Sequence, residues 1–462
     1  MLFDIDKKPE GRIAATDDSG GQLSYGDIVS LRNSISKILP ERELVFCLCE
    51  NKVASLAGYL ALYDCKDVCL LLNAAIDKEL LDTLYDTYKP SYIWLPEELN
   101  RDANPVFGFK DYVLVKTMNK APVMNSELSL LMTTSGTTGS PKLVRHKYGN
   151  IEHNARNVAT VFGWTEEERG IIDLPMQYTM GLNVINSHLQ AGATVLLLSA
   201  NLMSPLFWKY IKENRGTNFT GVPFSYEILN RLRFAKMDLP YLKTMAEGGG
   251  KLPDNLFESF ARLASEKGIR FFATFGTTET SARLAYLPPQ DAVSHTGSIG
   301  HAIPEGRLTL IDENGCEIEG ADVEGELRYE GPNVTMGYGT CIEDLQKGDE
   351  FCGVYMTGDL AKRDKDGYYY IVGRKKRFLK LYGLRVSLDQ CERIISEHFN
   401  TECACTGNDQ EMKIFITDEK LKDDVRSYIS DKTGLMAKSF VINVIESIPR
   451  FESGKINYRQ LN

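Results

Sequence analysis

The chain has few of the residues that metal sites and nucleic-acid surfaces need. Among 462 residues there are six histidines, and the ten cysteines never form a C-x-x-C pair. Cys47/Cys49 and Cys403/Cys405 are C-x-C pairs, Cys65/Cys69 is C-x3-C, and the other four stand singly. That spacing excludes the common zinc frameworks. The thiols read as small buried hydrophobes in a reducing compartment. Basic charge is not in excess: the net charge of −10 argues against a general nucleic-acid binder. No apolar run approaches the roughly 20 residues of a membrane-spanning helix. "VCLLLNAAI" and "TVLLLSA" have the length of buried strands, and "MLFDIDKKPEGR" at the N-terminus lacks the apolar core of a signal peptide. Low-complexity segments are missing too. A soluble cytoplasmic protein is expected.

What is present is ordinary globular sequence, 43% hydrophobic, in a chain too long for one core. Up to residue 130, "ELVFCLCE", "VCLLLN" and "SYIWL" read as strands, and "KVASLAGYLALYD" and "DKELLDTLYDTYKP" as helices. The same alternation returns from "NIEHNARNVATVFG" to "NFTGVP". It predicts two α/β units with parallel sheets. From about residue 296, short β runs parted by Gly, Asn and Asp turns predict a small antiparallel barrel or sheet. The final 80-odd residues mix helix and strand. The fold class is therefore α/β: two parallel-sheet subdomains plus a small β-barrel, then a small mobile α+β C-terminal domain. The division expected is 1–375 and 376–462.

The stretch "TTSGTTGSPK" (133–142) stands out. A Ser/Thr/Gly loop exposes many N–H and hydroxyl donors and can wrap an anion without crowding. It is not a Walker A loop, because Gly136 and Gly139 are three apart and Lys142 follows a proline. The strand-like "LSLLM" before it and "LV" after it make it a hairpin-borne phosphate loop, not a tether.

Those residues resemble the signature loop of the adenylate-forming superfamily: acyl- and aryl-CoA synthetases, peptide-synthetase adenylation domains and luciferases. Six further blocks follow in the family's order. They are "PMQYTMGL" (175–182), "EGGGKLP" (247–253), "FGTTET" (275–280), "GELRYEGPNVTMGY" (325–338), "YMTGDLAKRDKDGYYYIVGRKKRFLKLYGLRV" (355–386) and "PRFESGKINYRQL" (449–461). The resemblance covers nearly the whole chain.

It implies a two-step reaction. A carboxylate attacks the α-phosphate of ATP to give acyl-AMP and pyrophosphate, and a thiol then displaces AMP. The first step brings two anions together, so the site must neutralise charge. By resemblance, Thr134, Ser135, Gly136, Thr137, Thr138, Gly139 and Lys142 cradle the phosphates. Thr278 donates to the α-phosphate and Glu279 holds Mg²⁺, a hard cation suited to carboxylate and phosphate oxygens. Phe275, where the family usually has tyrosine, stacks on adenine, with Gly276 and Thr277 beside it. Gly248, Gly249 and Gly250 let backbone pack on the nucleotide and the acyl group. Asp359 takes both ribose hydroxyls, and Arg374 contacts the nucleotide. A bare T-G-D is ordinarily a turn; here its flanks decide. Lys376 is the hinge, and Lys455 is the lysine that stabilises charge during adenylation. In relatives the small domain then swings, withdraws this lysine and presents the loop equivalent to "KLYGLR", where Gly383 leaves room for the pantetheine arm.

Tyr178, Gly181, Val222 and Phe224, with Met180 and Tyr226, are candidates for the acid pocket. Core packing explains each of these residues, taken alone, about as well. The 175–182 loop has no acid to pair an α-ammonium, so an acid without an α-amino group is favoured. Coenzyme A is the expected acceptor. Loading of a carrier-protein phosphopantetheine thiol is the alternative, and a non-catalytic nucleotide-binding relative is the second. Leu143 and Ser387 depart from the family's usual glycine and acid, which bears on the thiol-accepting half more than on the adenylating half.

Overall fold

The computed structural model describes residues 1–100, 104–133, 142–375, 377–381, 384–408, 410–451 and 454–461. Two large sheets dominate. The first has eight strands. At its centre Leu44–Cys49, Val68–Asn73, Tyr92–Pro96 and Leu128–Thr133 run parallel. Every side chain of Leu44–Cys49 is buried, as expected of a parallel strand covered on both faces. The second sheet has nine strands, with a parallel centre of Thr194–Leu197, Arg169–Ile172, Asn218–Gly221, Thr244–Glu247 and Arg270–Phe275.

The helix Val53–Asp64 is buried almost all round, the mark of a helix enclosed between two layers. Its apolar residues share one core with residues of both sheets, Val45 and Trp94 from the first and Val195 from the second. Gly58 permits the close approach: a Cβ there would lie 2.1 Å from the Trp94 indole nitrogen.

Two crossings depart from a chain folded in sequence order. Ile13–Asp17 lies within the first 130 residues, yet it runs parallel to Thr194–Leu197 at the side of the second sheet. Buried Tyr25 fastens that corner by donating to the Ala193 carbonyl at 2.8 Å. Tyr338–Gly339, from the later β-rich region, pairs with Leu143–Lys147 at the edge of the first sheet. The β-rich region itself is a four-stranded antiparallel sheet, Arg307–Ile311, Glu324–Glu330, Val354–Arg363 and Tyr369–Arg374.

Near the C-terminus, Cys403–Asn408, Glu411–Ile416 and Phe440–Val444 form a three-stranded sheet backed by Leu388–Phe399 and Lys422–Thr433. Its hydrophobic clusters draw only on residues 379–461. The two departures from the family pattern have local causes. Ser387 is the N-cap of Leu388–Phe399 and accepts from Gln390 N at 3.2 Å. Leu143 is fully buried in the core with Leu128 and Met336. Cys47, Cys49 and Cys69 are core residues as well. Among the described residues no helix is long and apolar enough to cross a membrane.

Candidate active site

The carboxyl ends of the second sheet's parallel strands carry most of the predicted residues, where open α/β sheets hold ligands. Gly248, Gly249 and Gly250 follow Thr244–Glu247, and Gly276 to Glu279 follow Arg270–Phe275. Gly248, Gly249 and Gly276 leave no room for a side chain. A Cβ on Gly248 would lie 2.5 Å from Thr274 Oγ1 and 2.8 Å from Met180 Cε. Gly249 has φ +80°, and a Cβ there would meet Tyr178 Oη at 2.8 Å. Gly250 faces Pro223, and Gly276 sits against the Ala282 carbonyl.

Thr278–Thr280 forms a single 3-10 turn. Thr278 Oγ1 is 2.9 Å from Thr179 Oγ1, at the start of the helix Thr179–Ala191. Glu279 Oε1 accepts from Tyr338 Oη at 2.7 Å. On the same tyrosine, Lys142 Nζ lies 3.1 Å from the ring centroid. Tyr338 thus joins the only described phosphate-loop residue to the acidic turn, because its short strand pairs with the one that follows the loop. Burial and the Glu279 carboxylate push the Tyr338 phenol up, which keeps it a donor. Nothing in the spacing of residues had singled out Tyr338. It lay within the 325–338 block, but one tyrosine among 22 carries little signal.

Asp359 is 3% exposed. Its Oδ1 accepts from Arg374 Nε at 3.1 Å across adjacent strands. Its Oδ2 is buried without a partner. Burial raises this carboxyl, and Arg374 opposes the rise. A buried acceptor left open calls for a donor, and sugar hydroxyls would supply it.

Lys455 reaches this place from the C-terminal segment. Its Nζ lies 5.9 Å from the Tyr178 ring centroid. Burial lowers the ammonium, with Arg374 acting in the same direction and Asp359 and Glu279 opposing. The preceding residue, Gly454, packs on the start of the helix Pro223–Arg231: a Cβ would lie 2.9 Å from Phe224 Cβ and 3.1 Å from Val222 Cγ2. Arg450 supports the loop. Its Nη1 donates to the Gly454 carbonyl at 3.0 Å, and its guanidinium carbon lies 5.3 Å from the Phe224 ring centroid.

Tyr178, Val222 and Phe224 form one small cluster with Leu174 and Met180. Tyr226, a pocket candidate from sequence, instead lies in the core beside Phe260 and Phe271. It follows Phe224 by two residues in the helix Pro223–Arg231, about 200° round the axis, so it faces the other way. Gly181 packs against the Pro175 carbonyl, where a Cβ would come within 2.4 Å. Phe275 and Thr277 are half-buried at the strand end. Thr134, Ser135, Gly136, Thr137, Thr138, Gly139, Lys376 and Gly383 lie outside the described residues. Among the described residues no group of three or more His, Cys, Asp or Glu side chains is placed to hold a metal.

Residues 4–339 match the AMP-binding enzyme family. The chain belongs to that family. It is 25% identical over 439 residues to a 2-succinylbenzoate–CoA ligase of Enterococcus faecalis, spanning 91% of this chain and 88% of the relative. It is 27% identical to an oxalate–CoA ligase of Arabidopsis thaliana, spanning 72% of this chain and 66% of the relative. Against an indoleacetate–CoA ligase of Aromatoleum aromaticum it is 30% identical, spanning 58% of this chain and only 52% of the relative. The fold is similar to that of O-succinylbenzoate coenzyme A synthetase from Bacillus subtilis in complex with AMP, with TM-score 0.80 and 20% identity over 100% of this chain and 97% of that one. It is also similar to a benzoate CoA ligase from Burkholderia xenovorans, with TM-score 0.78 and 18% identity over 100% and 98%.

Proposed function

We propose that this enzyme is an AMP-forming acid–thiol ligase. It joins a carboxylic acid lacking an α-amino group to the α-phosphate of ATP, releases pyrophosphate, and passes the acyl group to coenzyme A. The observation that carries this reading is Lys455, held beside Tyr178 and within electrostatic reach of Asp359, Glu279 and Arg374. The names of the relatives, all CoA ligases, support it.

In this reading Lys455 neutralises the charge shared by the attacking carboxylate and the α-phosphate. The 134–142 loop and Lys142 hold the departing phosphates. Thr278 donates to the α-phosphate, and Thr179 fixes its hydroxyl. Asp359 Oδ2 accepts from the ribose, while Arg374 opposes the effect of burial on the carboxylate and aims it. Glu279 holds Mg²⁺, which supplies charge neutralisation of the phosphates, and Tyr338 orients that carboxylate. Tyr178, Val222 and Phe224 pack the acyl group. Residues 376–462 then act as a lid turning at Lys376, with Gly383 lining the thiol path. All ten cysteines are free, which supports a place in the reducing cytoplasm.

The test is acid-dependent exchange of labelled pyrophosphate into ATP across aryl, short-, medium- and long-chain acids, with and without CoA, beside Lys455→Ala. Exchange with one acid class, lost in the variant, and AMP release accelerated by CoA are expected. AMP release unmoved by CoA but stimulated by a carrier protein would replace the acceptor. Absence of exchange with every acid, despite ATP binding, would reduce the protein to a nucleotide binder.

A further inference from the structure

Arg283 is a buried cation with no counter-ion among the described residues. It is 1% exposed and follows the Thr278–Thr280 turn. Its Nη2 makes one long hydrogen bond to Thr220 Oγ1 at 3.3 Å, and its guanidinium carbon lies 4.7 Å from the Phe162 ring centroid. Nε and Nη1 have no partner. Burial pulls the guanidinium down to about 9, and no described carboxylate opposes it. An unpaired buried charge is among the costliest features a fold can keep. A hydroxyl and an aromatic face recover little of that cost.

The sheet register locates the guanidinium. Thr220 pairs with Ala246, and Ala246 with Phe272. Two residues further along the latter strands stand Gly248 and Thr274. Side chains at i and i+2 share a face, so Thr220 lies one step, about 7 Å, below the Gly248–Thr274 row. That row is where Gly248 meets Met180 and where Gly249 meets Tyr178 and Val222. The Arg283 guanidinium, bonded to Thr220, therefore lies one row below the acyl cluster on the same face of the sheet. Met180, an unbranched side chain that can swing aside, lies against that upper row at Gly248. A polar relay fixes the arginine's backbone: Asn154 Nδ2 donates to the Arg283 carbonyl at 2.7 Å, and Asn183 Nδ2 donates to Asn154 Oδ1 at 2.5 Å.

We propose that Arg283 binds a second carboxylate of the acid, so that the substrate is a dicarboxylic acid activated at one end only. This rests on the adenylation reading above. The distal carboxylate pairs with the open Nε–H and Nη1–H groups, and the other end meets Lys455. A neutral-ended acid leaves the guanidinium buried and unpaired, which is the basis of discrimination.

The experiment is pyrophosphate exchange with matched pairs that differ only at the far end, such as hexanoate and adipate or benzoate and phthalate isomers. Wild type is compared with Arg283→Met and Arg283→Lys, and binding of a fluorescent ATP analogue verifies that each variant is folded. In at least one pair the diacid is expected to be preferred. Arg283→Met should lose on the order of 100-fold in kcat/KM for that diacid, as for removal of a charged hydrogen-bond partner. The loss should appear mainly in KM, and the neutral-ended partner should gain. Arg283→Lys should keep the preference with a raised KM. A wild-type preference for neutral-ended acids overturns this proposal while leaving adenylation standing. So does a folded Met variant with unchanged selectivity. Silence with every acid refutes the adenylation reading and this proposal with it.

Discussion

A methyl group at Gly454 tests whether the C-terminal segment must dock on Val222 and Phe224, at the start of the helix Pro223–Arg231, for chemistry. Gly454 has φ +77°, and an added Cβ would stand 2.9 Å from Phe224 Cβ and 3.1 Å from Val222 Cγ2. The first effect of Gly454→Ala is local strain of about 1 kcal/mol, present wherever the turn keeps its shape. The second is overpacking. Phe224 Cβ is tied to backbone and cannot rotate away, so the docked arrangement carries a further 1–3 kcal/mol or so. Only this second part depends on docking. At about 1.4 kcal/mol per tenfold, it slows adenylation roughly 5- to 150-fold. Thioester formation from synthetic acyl-adenylate and CoA needs no docked Lys455 and should stay within about threefold of wild type. The assay pair is pyrophosphate exchange and single-turnover thioester formation. Equal losses in both halves, or no loss in exchange, would refute the docking argument.

Other outcomes follow from the same geometry. Lys455→Ala should slow exchange by roughly 10²–10³ through lost transition-state charge stabilisation, with ATP affinity by fluorescence titration nearly unchanged. Asp359→Asn should weaken ATP binding about 10- to 100-fold, since it removes charge-assisted bonds to Arg374 and to the sugar. Tyr338→Phe takes the phenol from Glu279 and should lower exchange about tenfold, with a higher Mg²⁺ concentration needed for half-maximal rate. Burial pushes the Glu247 carboxyl up to about 8. The folded state therefore holds a proton that the unfolded chain releases in the ordinary carboxylate range, and stability falls as pH rises from there to about 8. Urea unfolding at pH 5 and pH 8 should show Glu247→Gln gaining a few kcal/mol on wild type across that interval; parallel behaviour would contradict the burial assigned to Glu247.

The amino-acid order by itself determined the elements and the chemistry class. Strand and helix patterns are short-range: Leu44–Cys49 and Val53–Asp64 are apolar runs of strand and helix length, buried on nearly every side. The glycines at 248–250, Asp359 and Lys455 were legible because each sits in a block whose neighbours constrain it. Pairings between distant segments were left to the tertiary structure. Ile13–Asp17 reaches the second sheet, and Tyr338–Gly339 the first, because unpaired strand edges and buried apolar faces are satisfied across the whole chain, not along it. The same long-range closure removed Tyr226 from the pocket and set Tyr338 between Lys142 and Glu279. It also laid Gly454 on Phe224. Nothing in the sequence singles out Arg283. Only the sheet packed above it takes away the water that would have paired its charge.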